Sequence, residues 1–217
     1  MLPAKSSACK PAGWLWLALV VLPVALAACG GRDKPKGAGT APPGKNGESS
    51  ESQLIKLNAI VEIVMEAESA KVTAPMVIRT DDASQSRSEL QQASGGKYVD
   101  LPEKAGKGDE VGGKVTFTVD IKQRGTYRLW ARVWWTDSCG NTFGVVVDDG
   151  KQATLGDDGT CNSWQWVCLK GDAGVFRLPK GEHTIEFRNT EDGVRLDEIL
   201  LSTNTDEQAP PQGIVSP

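Results

Sequence analysis

The sequence predicts an all-β fold, a sandwich in a single domain, on three observations. From about residue 60 onward apolar and polar residues alternate at period two, as in "KVTFTVDI", where Val115, Phe117, Val119 and Ile121 alternate with Lys114, Thr116, Thr118 and Asp120. Turn-forming clusters punctuate the pattern at short intervals: "SGG" at 94–96, "VGG" at 111–113, "DDG" at 148–150, "GDDG" at 156–159, "PKG" at 179–181 and "EDG" at 191–193. No long segment has helical period. Roughly nine or ten short strands of this kind need two packed layers, or a closed barrel, to bury their apolar faces.

The chain begins differently. Residues 1–28 carry Lys5 and Lys10 ahead of the apolar run "WLWLALVVLPVALAA", which Pro23 interrupts, and this reads as an export leader rather than a spanning helix. Its end, "LAAC" at 26–29, resembles the lipobox of bacterial lipoproteins. That resemblance implies cleavage before Cys29, lipidation of Cys29 and anchoring to a membrane of the bacterial cell envelope. Gly30, where an Asp would retain the protein at the inner membrane, points to the outer membrane.

Residues 29–56 are rich in Gly, Pro, Ser and Lys, with no large apolar residue before Leu54. A composition that cannot bury enough surface to offset ordering entropy predicts a flexible tether, with a coil span of roughly 25 Å. The domain then covers 57–205. The "DEQAPPQGIVSP" segment at 206–217 reads as an irregular tail.

The formal net charge is −4, and −6 without the two lysines of the leader. An acidic domain without a basic run argues against nucleic acid as a partner, and is compatible with calcium and neutral ligands. Of the five cysteines, three lie in the domain. Cys139 and Cys161 sit among Gly, Asp and Asn in expected loops, whereas Cys168 lies in an apolar strand, so the expected disulfide joins Cys139 to Cys161.

Along the domain, "LNAIVEIVMEAESA" fits a strand by its β-branching, although its apolar spacing also admits a helix. "TIEFRN" and "VRLDEILL" alternate like "KVTFTVDI". In "GTYRLWARVWW", strand phase places Tyr127, Leu129, Ala131, Val133 and Trp135 on one face and Arg128, Trp130, Arg132 and Trp134 on the other. The first set is the core face. The second alternates guanidinium with indole, and is either a solvated face or part of a second packed layer. Trp130 is expected to be structural, and Trp134, directed outward where the strand enters a loop, is the stronger contact candidate.

"MEAESA", "ASGGKYVDL", "GTYRLWARVWW", "SWQWV", "LPKGEHTIEF" and "GVRLDEILL" follow one another over residues 60–202. In order and rough spacing they resemble the non-catalytic carbohydrate-binding modules of families 6 and 35, which are β-jelly rolls. The resemblance implies a structural calcium held by Glu66, Glu68 and Asp197, with carboxylates two apart on a strand projecting to one side and backbone carbonyls completing the shell. It also implies sugar rings stacked on loop aromatics, with Trp164 as the platform and Tyr98 near the position of a second aromatic. Trp166 is either a further contact or core.

These modules often carry an Asn two residues before the calcium Asp, and here that position is Arg195. Either the site turns toward acidic saccharides, or Arg195 makes a salt bridge and the usual site is lost.

An enzyme is not expected. The Asp137, Asp148, Asp149, Asp157 and Asp158 carboxylates belong to turn chemistry. The single histidine, His183, follows a turn at a strand start, and no Ser or Cys has the context of an activated nucleophile. The reading is thus a membrane-tethered lipoprotein that binds a poly- or oligosaccharide. The alternative from another class is an envelope module of the same fold that uses its aromatic loop edge to bind a protein partner.

Overall fold

The computed structural model of the chain describes residues 60–81, 92–105 and 112–208. The leader, Cys29, the tether and residues 209–217 lie outside the described residues.

Among the described residues, twelve strands form two antiparallel sheets. They are β1 (Glu62–Glu66), β2 (Lys71–Thr73), β3 (Val77–Thr80), β4 (Lys97–Leu101), β5 (Lys114–Ile121), β6 (Gly125–Trp135), β7 (Thr142–Val147), β8 (Ala153–Gly156), β9 (Trp164–Cys168), β10 (Val175–Leu178), β11 (Gly181–Asn189) and β12 (Val194–Ser202). The larger sheet runs β10-β6-β12-β4-β3, with β1 also on β12 and β9 also on β6; the smaller runs β2-β5-β11-β7-β8. Helical structure among the described residues is confined to short 3-10 turns. The β-sandwich is therefore as expected, with more strands than the roughly nine or ten anticipated, because three- and four-residue pieces such as β2 and β10 are too short to show a period.

The core fills the space between the sheets. Tyr127, Leu129, Ala131, Val133 and Trp135 of β6 point into it fully buried, and meet Val115, Phe117 and Ile121 of β5 and Ile185 and Phe187 of β11 from the other sheet. Each such large side chain contributes about 1.5–3 kcal/mol relative to exposure. The Tyr127 hydroxyl leaves this apolar space by donating to Gln123 O at 2.6 Å, which is why a phenol is tolerated there.

Strand β12 departs from the regular alternation read in "VRLDEILL". Its pairing with β6 shifts between Leu196, opposite Val133, and Glu198, opposite Arg132, so Asp197 is the extra residue of a β-bulge. Leu196 faces the core before the bulge, and Ile199 and Leu201 face it after.

Two further expectations are corrected. Glu66 ends β1, but Glu68 sits in the 3-10 turn Ala67–Ser69, so their proximity comes from that turn and not from strand alternation. Cys139 is an exposed free thiol and does not pair with Cys161. The reason is local: the Asp137 carboxylate accepts from Cys139 N at 2.7 Å and Gly140 N at 2.8 Å, holding a turn whose Cys139 side chain stays in solvent, whereas Cys161 packs into the core.

At the start of the irregular tail, Glu207 contacts the sandwich. Glu207 Oε1 accepts from Gly171 N at 2.8 Å and stands 3.2 Å from Arg128 Nη2. All of the described residues fall within one compact unit.

Candidate functional site

The outer face of the seven-stranded sheet gathers side chains from four strands. Register sets Trp164 of β9 opposite Trp134 of β6, Trp134 opposite Arg195 of β12, and Arg195 opposite Asp100 of β4. Tyr98, two residues before Asp100 and on the same face, completes the group.

The rings interlock. Trp164 makes edge contacts with Tyr98 at 5.5 Å and with Trp134 at 5.8 Å between centroids. The Arg195 guanidinium lies 5.4 Å from the Tyr98 ring and 5.5 Å from that of Trp134, and Arg132 lies 5.7 Å from Trp164. These spacings are within the range of favourable aromatic and cation-π contacts.

The structure thus brings together all four residues expected to contact a ligand, with one change of role. Trp164 is only 9% exposed, because it is wedged beneath Tyr98, Trp134 and Arg132. It offers an edge rather than an open face. Tyr98 and Trp134 are half-buried and Arg195 is 34% exposed, so these three form the accessible surface. Burial raises the Tyr98 hydroxyl pKa further above the neutral range, so it stays a protonated donor and acceptor.

Trp166 is half-buried on the outer face and is absent from the core cluster. Trp130 is 3% exposed and structural, as expected.

Arg195 does face a carboxylate, with Nε 3.5 Å from Asp100 Oδ1, but that Nε is buried and makes no hydrogen bond. Asp100 is shared with Arg79, whose Nε donates to Oδ2 at 3.3 Å. The guanidinium is therefore positioned mainly by the two rings that flank it.

A second cluster lies beside the first. Ser94 Oγ donates to Glu66 Oε1 at 2.9 Å, and Ser94 N donates to both Asp197 oxygens at 3.0 and 3.1 Å. Gly95, at φ +58°, makes the turn that presents Ser94 this way, in a region of backbone space that side chains disfavour. Glu68 comes to the same turn, its Oε1 within 3.7 Å of where a Gly95 side chain would begin.

Asp197 is fully buried, and its main partner is the Arg132 guanidinium. Desolvation nevertheless raises the Asp197 pKa to about 7, against the pull of Arg132 and Ser94 N–H. Desolvation also raises the Glu68 pKa, with Glu66 adding to it.

Two residues of this cluster carried no expected role. Arg132 was readable only as one rung of an arginine-tryptophan alternation, while Glu198, 2% exposed and opposite both Arg132 and Glu66, gave no signal because it looked like the polar half of an alternating strand.

Among the described residues, no three acidic, histidine or cysteine side chains stand close enough to hold one metal ion together. The expected trio of Glu66, Glu68 and Asp197 meets around Ser94 without forming one ligand set, because Arg132 takes the Asp197 carboxylate. Two atoms nonetheless have the chemistry of cation ligands: Glu66 Oε2 and Glu68 Oε2 are buried with no hydrogen-bond partner.

No protein-family model matches the chain, and no curated protein sequence matches it. Solved structures similar in backbone include a family 35 carbohydrate binding module from Clostridium thermocellum, at TM-score 0.48 and 18% identity, covering 65% of this chain and 97% of that one. An exo-beta-1,3-galactanase from Phanerochaete chrysosporium gives TM-score 0.47 and 22% identity over 64% of this chain and 29% of that one. A Podospora anserina GH26-CBM35 beta-(1,4)-mannanase gives TM-score 0.47 and 22% identity over 69% and 28%. The chain spans less than a third of the length of these two enzymes.

Proposed function

We propose that this chain is a non-catalytic carbohydrate-binding protein whose binding surface is the Tyr98–Trp134–Arg195 face, supported from beneath by Trp164. The observation that carries the proposal is the convergence of these residues from four strands into one interlocked cluster. A pyranose ring presents an apolar C–H face and a rim of hydroxyls. Half-buried rings of Tyr98 and Trp134 pack against the first, while the Tyr98 hydroxyl and the Arg195 guanidinium bond the second.

Fixing these groups in advance lowers the ordering cost of binding. The carboxylate within the cluster, Asp100, is engaged by Arg79 and Arg195.

Arg195 also bears on ligand charge. Its partial neutralisation by Asp100 allows hydroxyl ligands, and its planar fork favours a sugar that carries a carboxylate.

The buried, unpartnered oxygens of Glu66 and Glu68 would serve as two ligands of a structural calcium, while Arg132 keeps the Asp197 carboxylate. The calcium's positive charge would offset the cost of burying those oxygens. Lipidation of Cys29 and tethering through residues 29–56 would hold the binding face near a bacterial envelope surface.

Calorimetric titration of the protein with neutral and uronate-bearing oligosaccharides tests the proposal. Trp134→Ala is expected to weaken binding tenfold or more, about 1.4 kcal/mol, and Arg195→Gln to erase any preference for the uronates. Absence of affinity for every saccharide, with or without calcium, would overturn it.

A second reading, a protein-binding envelope module, is favoured by the edge strand β3, where Val77 is 37% and Ile78 50% exposed. In that case a stoichiometric protein partner would co-purify, and its capture would depend on Ile78 rather than on Trp134.

A further inference from the structure

A cavity of about 270 Å³ opens beside the outer face of the seven-stranded sheet, lined by Trp130, Trp166, Cys168, Asp158, Lys170 and Glu207 among others. Register places Trp130 opposite Cys168, then Arg132 opposite Trp166, then Trp134 opposite Trp164. Trp130 and Trp134 are thus four residues apart along β6, roughly 13 Å at strand rise, with Arg132 between them. The cavity is a separate place from the Tyr98–Trp134 face.

Its chemistry is specific. Trp130 is 3% exposed, and its Nε1–H is buried with no acceptor. Buried donors left unpaired are rare in folded chains and costly to keep, so this wall favours an oxygen acceptor brought by a ligand. Trp166 adds a half-buried indole for packing.

Two of the polar wall groups are held in place. Asp158 Oδ1 accepts from Thr160 N at 3.0 Å and Thr160 Oγ1 at 2.6 Å, and Glu207 is fixed by Gly171 N and Arg128. Burial pushes the Cys168 thiol pKa up, so this wall stays uncharged. Asp158 and Glu207 are balanced by Lys170 and by the Arg128 guanidinium 3.2 Å from Glu207, so the wall carries no net charge and suits an uncharged occupant. Volume limits the occupant further: cavities of roughly 300–1,000 Å³ hold drug-sized ligands, so this one suits a single ring.

We propose that this cavity binds one neutral sugar ring, of which an oxygen accepts a hydrogen bond from Trp130 Nε1–H, the apolar face packs on Trp166 and the hydroxyls donate to the carboxylates. The proposal does not depend on the Tyr98–Trp134 face binding anything.

Indole N–H signals of the ¹⁵N-labelled full chain test it, with the methyl glycosides of glucose, galactose and mannose as probes and methyl glucuronide as the anionic counterpart. At least one neutral glycoside is expected to shift the Trp130 signal saturably, along a curve of its own and not that of the Trp134 signal, which reports the other face. The glucuronide should bind more weakly. Trp166→Ala should weaken the neutral glycoside roughly tenfold, as expected for loss of a stacking partner, and Trp130→Phe, which keeps the ring and removes the donor, should do the same at an unchanged melting temperature.

The proposal is overturned if no neutral glycoside moves the Trp130 signal up to its solubility limit, if that signal moves only in step with Trp134, or if the glucuronide binds better. Wild-type binding in either variant would overturn it too.

Discussion

The two sheets of the sandwich treat their outward faces in opposite ways. On the five-stranded sheet, β5 and β11 alternate between buried and open positions, and the outward groups are solvated pairs such as Lys114 and Arg188 around Glu186. On the seven-stranded sheet, β12 is buried at every position except Arg195, and the outward side of β6 holds Arg128 and Trp130 buried and Arg132 and Trp134 half-buried. A sheet that faces water on one side needs only alternation. A sheet that packs charges and indoles on its outer side must satisfy each polar atom individually, and there the candidate sites are found.

The sharpest test of that difference is to remove one charge from each face. Arg132→Ala leaves the fully buried Asp197 without its cation and also takes the guanidinium from Trp164. Breaking a buried pair from one side costs about 3–5 kcal/mol, so the urea midpoint should fall steeply. A loss below about 1 kcal/mol, the scale of an exposed pair, would mean that the outer face of the larger sheet is as solvated as that of the smaller.

Calcium tests the same face at its acidic end. If Glu66 and Glu68 hold a calcium ion, adding it at about 100 times its Kd stabilises the fold by about 2.7 kcal/mol, seen as a rise in melting temperature that a chelator reverses. Glu66→Gln with Glu68→Gln should abolish the rise. An unchanged melting temperature would leave the Arg132–Asp197 pair and Ser94 as what holds these carboxylates.

The five-stranded side has a titrating pair that involves its histidine. His183 Nδ1 stands 2.8 Å from Asp148 Oδ2 and Nε2 2.9 Å from Pro179 O, so both ring nitrogens face acceptors and favour the imidazolium. The hydrogen bond to Asp148 is the main cause of the raised His183 pKa. For Asp148, desolvation pushes upward, but the bonds from His183 and Thr184 N outweigh it and the pKa is lowered.

A raised His183 pKa gives stability that is fully present below its unfolded value near 6.5 and is lost as pH rises through the folded value. A lowered Asp148 pKa gives stability that is lost as pH falls below its ordinary 3.8 through the folded value. The melting temperature should therefore decline on the alkaline side of pH 6.5, and His183→Gln should flatten that decline; an equal slope in the variant would show that the pair does not titrate with folding.

The smallest effect belongs to Arg188→Ala, at 45% exposure beside Glu186. Its expected cost is at most about 1 kcal/mol, diminishing with added salt.

Much of the domain was legible because the physics was local. The alternation of β5 and β11, the division of β6 into a core face and an outer face, and the structural placing of Trp130 all follow from side chains pointing to opposite sides of a pleated strand. Other features were not legible because they depend on what lies across the sheet. Trp164 reads as a platform from its place after a loop, but three neighbours from other strands cover it. Cys139 and Cys161 share a loop-like composition, yet only the Asp137 turn decides that the Cys139 thiol points to solvent.

What the sequence determined by itself is the two-layer β architecture and the in-or-out phase of β5 and β6, while the resemblance it carries named Tyr98, Trp164 and Arg195 as candidates beside Trp134. What only the tertiary structure decided is the bulge at Asp197, the partnering of Arg132 with Asp197, the burial of Trp164 and the separate cavity beside Trp130. The division has one cause: period-two patterning depends on neighbours along the chain, whereas a bulge, an ion pair or a cavity wall depends on strands that are distant in sequence and meet only through their register.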